Sequence, residues 1–277
     1  MDILETRNNN IYNLKNLSQY IGCPTEDLIG YYNEILQDAL FLDGINDCIL
    51  SAVDNFGFKK GIFGRGILET IDWFGYQRVL IYVLVRHIKP EHILETGVYY
   101  GGNTAFLLAA IHKNNIGTLH SIDLPDSKIQ SLRENSEENK NIARHSLVGD
   151  SEYYNNALSP GFIVPEYLKE RWDFISGNSL DVIPAMNQEF GFYLHDSDHS
   201  FDFLNRELSL ATKKLKKNAV IVVDDLTWSN SFYKYCSDRQ LYPILATDNG
   251  KDGLMVRTGI IKLDHPYNLD SDVVGKR

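Results

Sequence analysis

The stretch HILETGVYYGGNTAF, residues 92–106, joins two apolar segments through a cluster of three glycines. HILET has the short apolar run of a buried strand, and the segment that begins at TAFLL has the length of a helix. Gly97, Gly101 and Gly102 lie where the predicted strand turns into the predicted helix. Because glycine has no Cβ, the backbone at such a turn can approach a ligand closely. The junction therefore predicts a binding site at the carboxyl end of a strand.

The spacing of the glycines argues against two common kinds of nucleotide site. Gly97 is followed by three residues and then by the Gly101–Gly102 pair, which matches neither the G-x-G-x-x-G of a dinucleotide site nor a P-loop. Asp123 ends the next predicted strand, and an acidic residue there can accept both hydroxyls of a ribose. No basic partner for a pyrophosphate is evident, so these features favour a nucleoside ligand without phosphate. Asn103 or Thr104 is expected to cap the following helix.

From residue 90 onwards, short apolar strands alternate with helical segments. Strands are predicted at HILET, GTLHSIDL, WDFISG, FGFYLHD and AVIVVDD, and a closing hairpin at YPILATDNGKDGLMVRTG. Alternating strands and helices imply a parallel sheet covered on both faces, and a closing hairpin implies an antiparallel last strand. The sequence thus predicts an α/β, Rossmann-like, doubly wound sheet of seven mostly parallel strands. Residues 201–217 are predicted to form one helix with its lysines in the last turn.

Two regions are predicted along the chain. Residues 1–69 form an N-terminal helical segment that ends in a glycine-rich stretch, and residues 70–277 form the α/β domain. The glycine-rich stretch is interpreted either as a plain linker or as a lid that carries Lys59, Lys60 and Arg65 to an anionic group. Residues 126–170 are polar and are interpreted as an insertion.

Composition narrows the class of partner. The net charge is −10, which does not favour a broad nucleic-acid interface. Three cysteines without a CxxC pair argue against a disulfide framework and a structural zinc site. No signal peptide is evident, and the most apolar window, RVLIYVLVRHI, is too short to span a membrane. We expect a cytoplasmic protein without membrane or nucleic-acid partners, and the acidic N-terminal helices are a candidate interface for a homodimer.

Several blocks of the sequence resemble a known family. ETGVYYGGNT followed by HSIDLP is similar to motif I and the acidic second-strand end of class I S-adenosylmethionine (SAM)-dependent methyltransferases. The resemblance continues through GFIVPEYLKERWDFISGNSLDVIPAM, FYLHDSDHSF and VIVVDDLTW and covers about residues 75–260. These blocks look like the branch that includes macrocin-type O-methyltransferases and cephalosporin-hydroxylase-like proteins.

The resemblance implies which residues bind the cofactor. Glu95, Gly97 and Gly101 would surround the methionine part of SAM, Asp123 would bind the ribose, and Ser179 would lie near the adenine. Asn178 stands where the family more often has Asp. The full set of cofactor-binding candidates is Glu95, Thr96, Gly97, Tyr99, Gly101, Asn103, Thr104, Asp123, Ser179 and Asp196.

Three aspartates follow two neighbouring predicted strands. Asp196 follows one strand and Asp224 and Asp225 follow the next, so their side chains are expected at one edge of the sheet. Three carboxylates repel one another unless a positive charge lies among them, and Mg²⁺ with oxygen ligands would supply it. The resemblance to metal-assisted O-methyltransferases places metal ligands at the same three positions. In a purely structural alternative, these aspartates cap a helix or bond to the backbone and to a histidine.

Candidates for a general base lie beside the aspartates. His199 is the first candidate and Asp198 the second, since either could take a proton from an acceptor hydroxyl. Alternatively, His199 or Ser200 simply begins the next helix. His195 is interpreted as a packed histidine because its side chain should point away from Asp196.

The predicted activity is methyl transfer from SAM to a small hydroxylated molecule, such as a sugar, a glycoside or a phenol, assisted by Mg²⁺. The N-terminal helices, the insertion and Trp228 are expected to contact this acceptor. Two alternatives remain at this point, a SAM-binding module without catalysis and a metal-dependent hydroxylase.

Overall fold

The computed structural model describes residues 13–56, 75–124, 159–250 and 253–263. The interpretations of the glycine-rich stretch as a linker or lid, and of most of the 126–170 insertion, lie outside these ranges. The helices are α1 (13–21), α2 (Thr25–Leu36), α3 (Ala39–Phe56), α4 (Gly75–Ile88), α5 (Gly102–Asn114), α6 (Ser179–Ala185), α7 (Phe201–Thr212) and α8 (Ser231–Asp238), with a 3₁₀ turn at Glu166–Arg171. The strands are β1 (His92–Thr96), β2 (Thr118–Asp123), β3 (Trp172–Ser176), β4 (Phe190–His195), β5 (Leu215–Val223), β6 (Ile244–Gly250) and β7 (Gly253–Lys262).

The seven strands form one sheet in the order β3-β2-β1-β4-β5-β7-β6. The first five strands in this order pair in parallel, whereas β7 is antiparallel to both of its neighbours, β5 and β6. The predicted α/β architecture and its antiparallel last strand are therefore confirmed. The strand order reverses at β1, which lies between β2 and β4, and in open α/β sheets ligands bind outside the carboxyl ends of strands at such a point.

Helices cover both faces of the sheet because neighbouring residues of each strand point to opposite faces. Ile93 packs in the hydrophobic cluster that contains α4 and α5, and Leu94 packs in the cluster that contains α7 and α8. The N-terminal helices join the first cluster, where the rings of Phe41 and Phe106 meet edge to face with centroids 5.0 Å apart. Among the described residues, no helix is both long enough and apolar enough to cross a membrane.

The prediction of one helix over residues 201–217 is wrong at its carboxyl end. Helix α7 ends at Thr212, and β5 begins at Leu215, which pairs with Phe190 of β4. The amide of Phe190 donates to the carbonyl of Lys214, 2.8 Å away. Pairing with β4 overrides the helical pattern there, so Lys216 and Lys217 belong to the strand rather than to the last turn of the helix.

Candidate active site

The turn after β1 packs directly against the end of β4. Gly97 has φ +84°, and its amide donates to the carbonyl of Ile122, 2.9 Å away. A Cβ at this position would collide with the backbone oxygen of Asp196. Glycine is therefore required here by the approach of two backbone segments as well as by the backbone conformation.

Asp123 fixes the same turn from the end of β2. Its Oδ2 accepts hydrogen bonds from the amides of Val98 and Tyr99, both at 2.9 Å, and its Oδ1 accepts one from the amide of Leu124 at 2.7 Å. Tyr99 has φ +50°, so two successive amides can point at one carboxylate. The structure thus brings Gly97, Tyr99 and Asp123 together, as the sequence predicted, and the contact of Asp123 with a ribose remains a prediction.

Helix α5 begins differently from the prediction. Its N-cap is Gly101, with φ +92°, so the expectation that Asn103 or Thr104 caps the helix was wrong. A Cβ at Gly101 would lie 2.6 Å from the Cα of Gly161, which explains why the chain has glycine there. The first-turn side chains point to the strand ends instead of back to the helix. Asn103 Nδ2 donates to Asp196 Oδ2 at 2.6 Å, and Thr104 Oγ1 donates to the carboxylate of Glu95.

Glu95 lies beneath this turn and is fully buried. The hydroxyls of Thr104 and Ser121 donate to it, at 2.9 Å and 2.5 Å to Oε2. Burial raises the pKa of Glu95 to about 8, and the hydrogen bonds from Ser121 and Thr104 oppose only part of that rise. Glu95 therefore carries a proton at neutral pH, and its position in the structure is under the turn rather than at the surface of a site.

A second buried carboxylate, Glu207, joins several strand ends, although no sequence motif pointed to it. Glu207 lies on α7 with no exposed surface. It accepts hydrogen bonds from five side chains of three separate segments, namely Thr96, Ser179, Tyr193, His195 and Ser197. The side chains of two cofactor candidates, Thr96 and Ser179, thus point into the protein toward Glu207. Burial alone would raise the pKa of Glu207, but the charge and hydrogen bond of His195 and the hydroxyls lower it to about 2.

The interpretation of His195 as a packed histidine agrees with its full burial. The side chain is also paired with the carboxylate of Glu207. Its Nδ1 lies 2.7 Å from Glu207 Oε1. The signal for this pair was present in the sequence, since Glu207 lies between Leu204 and Leu208 on the apolar stripe of α7. A buried carboxylate on an apolar helix face needs polar partners.

The three aspartates meet at the carboxyl ends of β4 and β5, as predicted. The amide of Asp224 donates to the carbonyl of His195 at 3.1 Å, which places Asp224 beside Asp196. Burial and the charges of Asp196 and Asp225 raise the pKa of Asp224 to about 8. The mutual repulsion that the sequence predicted is therefore present in the structure.

The donor set at this cluster does not fit the magnesium site that the sequence predicted. No group of three His, Cys, Asp or Glu side chains within the described ranges is arranged to hold a metal ion. Asp225 Oδ1 accepts from both Nε and the terminal NH2 group of Arg257, and Asp196 Oδ2 accepts from Asn103. Asp224 Oδ1 accepts from the amide of Asp225 at 2.6 Å. Each carboxylate thus already has a protein partner.

The two base candidates lie beside this cluster. His199 Nε2 is 3.7 Å from Asp196 Oδ1, and the His199 ring stacks on Trp228 with centroids 6.1 Å apart. Burial lowers the pKa of His199, but the nearby carboxylate of Asp196 outweighs burial and raises it. Asp198 Oδ1 accepts from the amide of Ser200 at 2.8 Å, while Ser200 is the N-cap of α7. The assignment of either side chain as the base remains a prediction.

Comparison with known families identifies the domain. A family model described as a methyltransferase domain matches residues 94–226. This part of the chain is a methyltransferase domain. With its sheet order and antiparallel β7, the methyltransferase domain belongs to the class I SAM-dependent type that the motifs predicted.

Solved structures give distant likenesses to the methyltransferase domain. The O-methyltransferase TomG from Streptomyces achromogenes, in complex with SAM, is 17% identical over 67% of this chain and 79% of that chain, with a TM-score of 0.46. An O-methyltransferase from Bacillus cereus is 17% identical over 67% of this chain and 80% of that chain, with a TM-score of 0.43. The O-methyltransferase NovP is 16% identical over 67% of this chain and 78% of that chain, with a TM-score of 0.48. These values are too low to indicate what this chain acts on, and no curated protein sequence matches it significantly.

Proposed function

We propose that this protein transfers the methyl group of SAM to a hydroxyl group of a small acceptor, such as a sugar, a glycoside or a phenol. One observation carries the proposal: a hydrogen bond from Asn103 to Asp196 links the glycine turn to the aspartate cluster at the carboxyl ends of the strands. Asn103 belongs to the turn that fits a nucleoside, and Asp196 belongs to the group that contains both base candidates. A methyl donor and a nucleophile must be held at such a distance and orientation for displacement.

The turn offers suitable partners for SAM. Asn103 Oδ1 is buried and accepts no hydrogen bond from the described residues, so it could accept one from the ammonium of the methionine part. Asp123 would accept the ribose hydroxyls, and Gly97 and Gly101, with φ +84° and +92°, would hold the backbone of the turn in the conformation that faces the cofactor. Bound SAM would supply a methyl group on a sulfonium, which is already an activated leaving group.

The acceptor would bind on the β4–β5 side of this turn. Trp228, which stacks on His199, is 47% exposed and offers aromatic surface for contact with a sugar or phenol ring. The acceptor oxygen would form a bond to the methyl carbon as the carbon–sulfur bond breaks. His199, or Asp198 as the second choice, would take the hydroxyl proton. Magnesium has no step in this proposal because the aspartates do not form a cation site.

A labelled-SAM screen over sugars, glycosides and phenols tests the proposed reaction. We expect methyl transfer to at least one hydroxylated acceptor, and a loss of about 100-fold in kcat for the variant that removes the base, His199→Gln or Asp198→Asn. SAM binding by calorimetry without transfer to any acceptor would indicate a binding module instead. Iron-dependent oxygen consumption would indicate a hydroxylase.

Trp228→Ala tests the location of the acceptor. We expect its KM for the acceptor to rise by about tenfold, while its Kd for SAM stays within twofold of wild type, because one aromatic contact is worth about 1 kcal/mol. Tyr242→Ala is the matched control. Tyr242 is 54% exposed and precedes β6, the edge strand that β7 separates from β5. Equal effects of the two substitutions would place the acceptor elsewhere.

A further inference from the structure

The aspartate cluster has two arginines as neighbours, and neither was evident from the sequence motifs. Arg257 interacts with Asp224 and Asp225, and Arg78 interacts with Asp196, Asp224 and Asp225. A guanidinium keeps its charge at every pH at which a protein is folded. Two guanidinium groups therefore act on the three carboxylates for which the sequence predicted a divalent cation.

The sheet fixes the position of Arg257. Gly259 of β7 pairs with Val223 at the end of β5, so Arg257 lies just beyond the carboxyl end of that strand. The carbonyl of Arg257 accepts from the amide of Leu226 at 3.0 Å, while its side chain donates to Asp225 Oδ1 from Nε at 3.1 Å and from the terminal NH2 group. Backbone and side chain thus both hold Arg257 against the segment that carries Asp224 and Asp225.

Arg78 reaches the cluster from the other side, from helix α4. A Cβ at Gly102 would lie 2.6 Å from Arg78 Nε and 2.9 Å from its Nη2, so glycine at the start of α5 leaves the room that this guanidinium fills. The amino-terminal end of a helix disfavours a positive charge, and acidic neighbours must compensate for that. Burial lowers the pKa of Arg78, and the charges of Asp196, Asp224 and Asp225 oppose only part of that fall.

One oxygen of each aspartate is already used in a hydrogen bond within the protein. Mg²⁺ requires near-octahedral oxygen ligands at about 2.0–2.1 Å. Asp225 uses Oδ1 for Arg257, Asp196 uses Oδ2 for Asn103, and Asp224 uses Oδ1 for a backbone amide. A cation at Asp225 Oδ1 would have to displace the guanidinium of Arg257, and the positive charges of Arg257 and Arg78 disfavour a cation at the cluster.

We propose that Arg257 and Arg78 take the electrostatic place of a divalent cation at the aspartate cluster, so that this site works without a metal. The proposal deepens the proposed function and rests on it only for the statement that methyl transfer is metal-independent. Arg257 holds Asp225 in position, and the two arginines offset part of the repulsion among the carboxylates. Activation of the acceptor is then left to the side-chain base rather than to a Lewis acid.

Titration of the purified protein with Mn²⁺, followed by the electron paramagnetic resonance signal of free Mn²⁺, tests the proposal without any acceptor. We expect no binding by the wild type below about 1 mM. Arg257→Met, which keeps the length of the side chain but removes its charge, should gain a site at least tenfold tighter. Arg257→Lys keeps a charge and should not gain it, nor should the control Lys234→Met, which removes the partner of the exposed Asp238.

Two results would overturn the proposal. One is micromolar Mn²⁺ binding by the wild type that is lost in Asp225→Asn, which would show that the cluster is a cation site. The other is folded Arg257→Met protein without any gain in Mn²⁺ affinity. If Arg257→Met does not fold, the titration of the wild type still decides.

Methyl transfer in EDTA and in Mg²⁺ gives a second measurement. We expect rates that agree within twofold, and loss of activity in EDTA that Mg²⁺ restores would contradict the proposal. If no acceptor is methylated under either condition, the proposed function fails, whereas the Mn²⁺ titration still decides the present inference.

Discussion

The carboxyl ends of the parallel strands form two halves, one at β1 and β2 and one at β4 and β5, which are stabilised in different ways. In the β1–β2 half, backbone amides and two glycines fix the turn, since Asp123 accepts the amides of Val98 and Tyr99. In the β4–β5 half, charged side chains from distant parts of the chain surround the aspartates, as the pair of Arg257 and Asp225 shows. The first half therefore depends on the space that glycine leaves, and the second depends on the balance of charge.

The largest expected effect comes from adding one methyl group to the first half. Gly97→Ala would place a Cβ against the backbone oxygen of Asp196 at a residue with φ +84°. We expect the free energy of unfolding to fall by about 3 kcal/mol and the affinity for SAM by at least about 100-fold. Chemical denaturation and calorimetry measure the two quantities.

The control for Gly97→Ala is Gly30→Ala. Gly30 lies in α2 with nothing within 4 Å of an added Cβ. Alanine there should raise the free energy of unfolding by up to about 1 kcal/mol. Wild-type affinity for SAM in Gly97→Ala would show that the turn is not the cofactor site.

Glu207→Gln tests the carboxylate that connects the two halves. Glu207 accepts from Thr96 at the end of β1 and from His195 at the end of β4. We expect the substitution to lower the free energy of unfolding at pH 7 by about 3 kcal/mol, because it leaves a buried network with a missing charge. The control is Glu189→Gln, an exposed position that should change stability by less than about 0.5 kcal/mol.

The pH dependence of stability sharpens the same test. The pKa of Glu207 is lowered from its ordinary value of 4.5 to about 2 in the folded protein. Its contribution is thus fully present above pH 4.5 and is lost as the pH falls toward 2. The difference between wild type and Glu207→Gln should shrink over that window in acid denaturation curves, and a constant difference would contradict the assignment.

A second pH-dependent effect, of opposite sign, is expected at Glu95. Its folded-state pKa of about 8 lies above its ordinary value of 4.5, so its stabilising contribution is fully present below pH 4.5 and is lost as the pH rises through 8. Glu95→Gln cannot ionise and should therefore gain stability relative to wild type as the pH rises from 5 to 9, by about 4 kcal/mol. Thermal unfolding at the two pH values measures this, and equal shifts at both would show that Glu95 is ionised at neutral pH.

The comparison of the two halves also explains what the sequence could predict. Gly97 and Asp123 end consecutive strands, and Asp196 and Asp224 end the next neighbouring pair, so strand alternation alone was enough to place them together. Arg257 reaches the site only because β7 is antiparallel to β5, which fixes its register against Val223.

Side-chain direction and helix ends were harder to predict. Thr96 and Ser179 lie near the predicted site, yet their hydroxyls point to Glu207, because an ionised carboxylate in the core must collect donors from every element around it. The end of α7 at Thr212 depends on the pairing of β5 with β4, which no local propensity encodes.

The packing of the N-terminal helices limits how the chain can be shortened. Phe41 is fully buried against Phe106 of α5, and α1 reaches the other end of the sheet, where Asn13 Nδ2 donates to the carbonyl of Thr247 at 3.1 Å. A fragment that starts at residue 75 would leave a broad apolar surface of α4 and α5 in contact with water. Expression trials of the isolated catalytic fragment should therefore give aggregated material, and crystallisation or engineering work should retain the first helices.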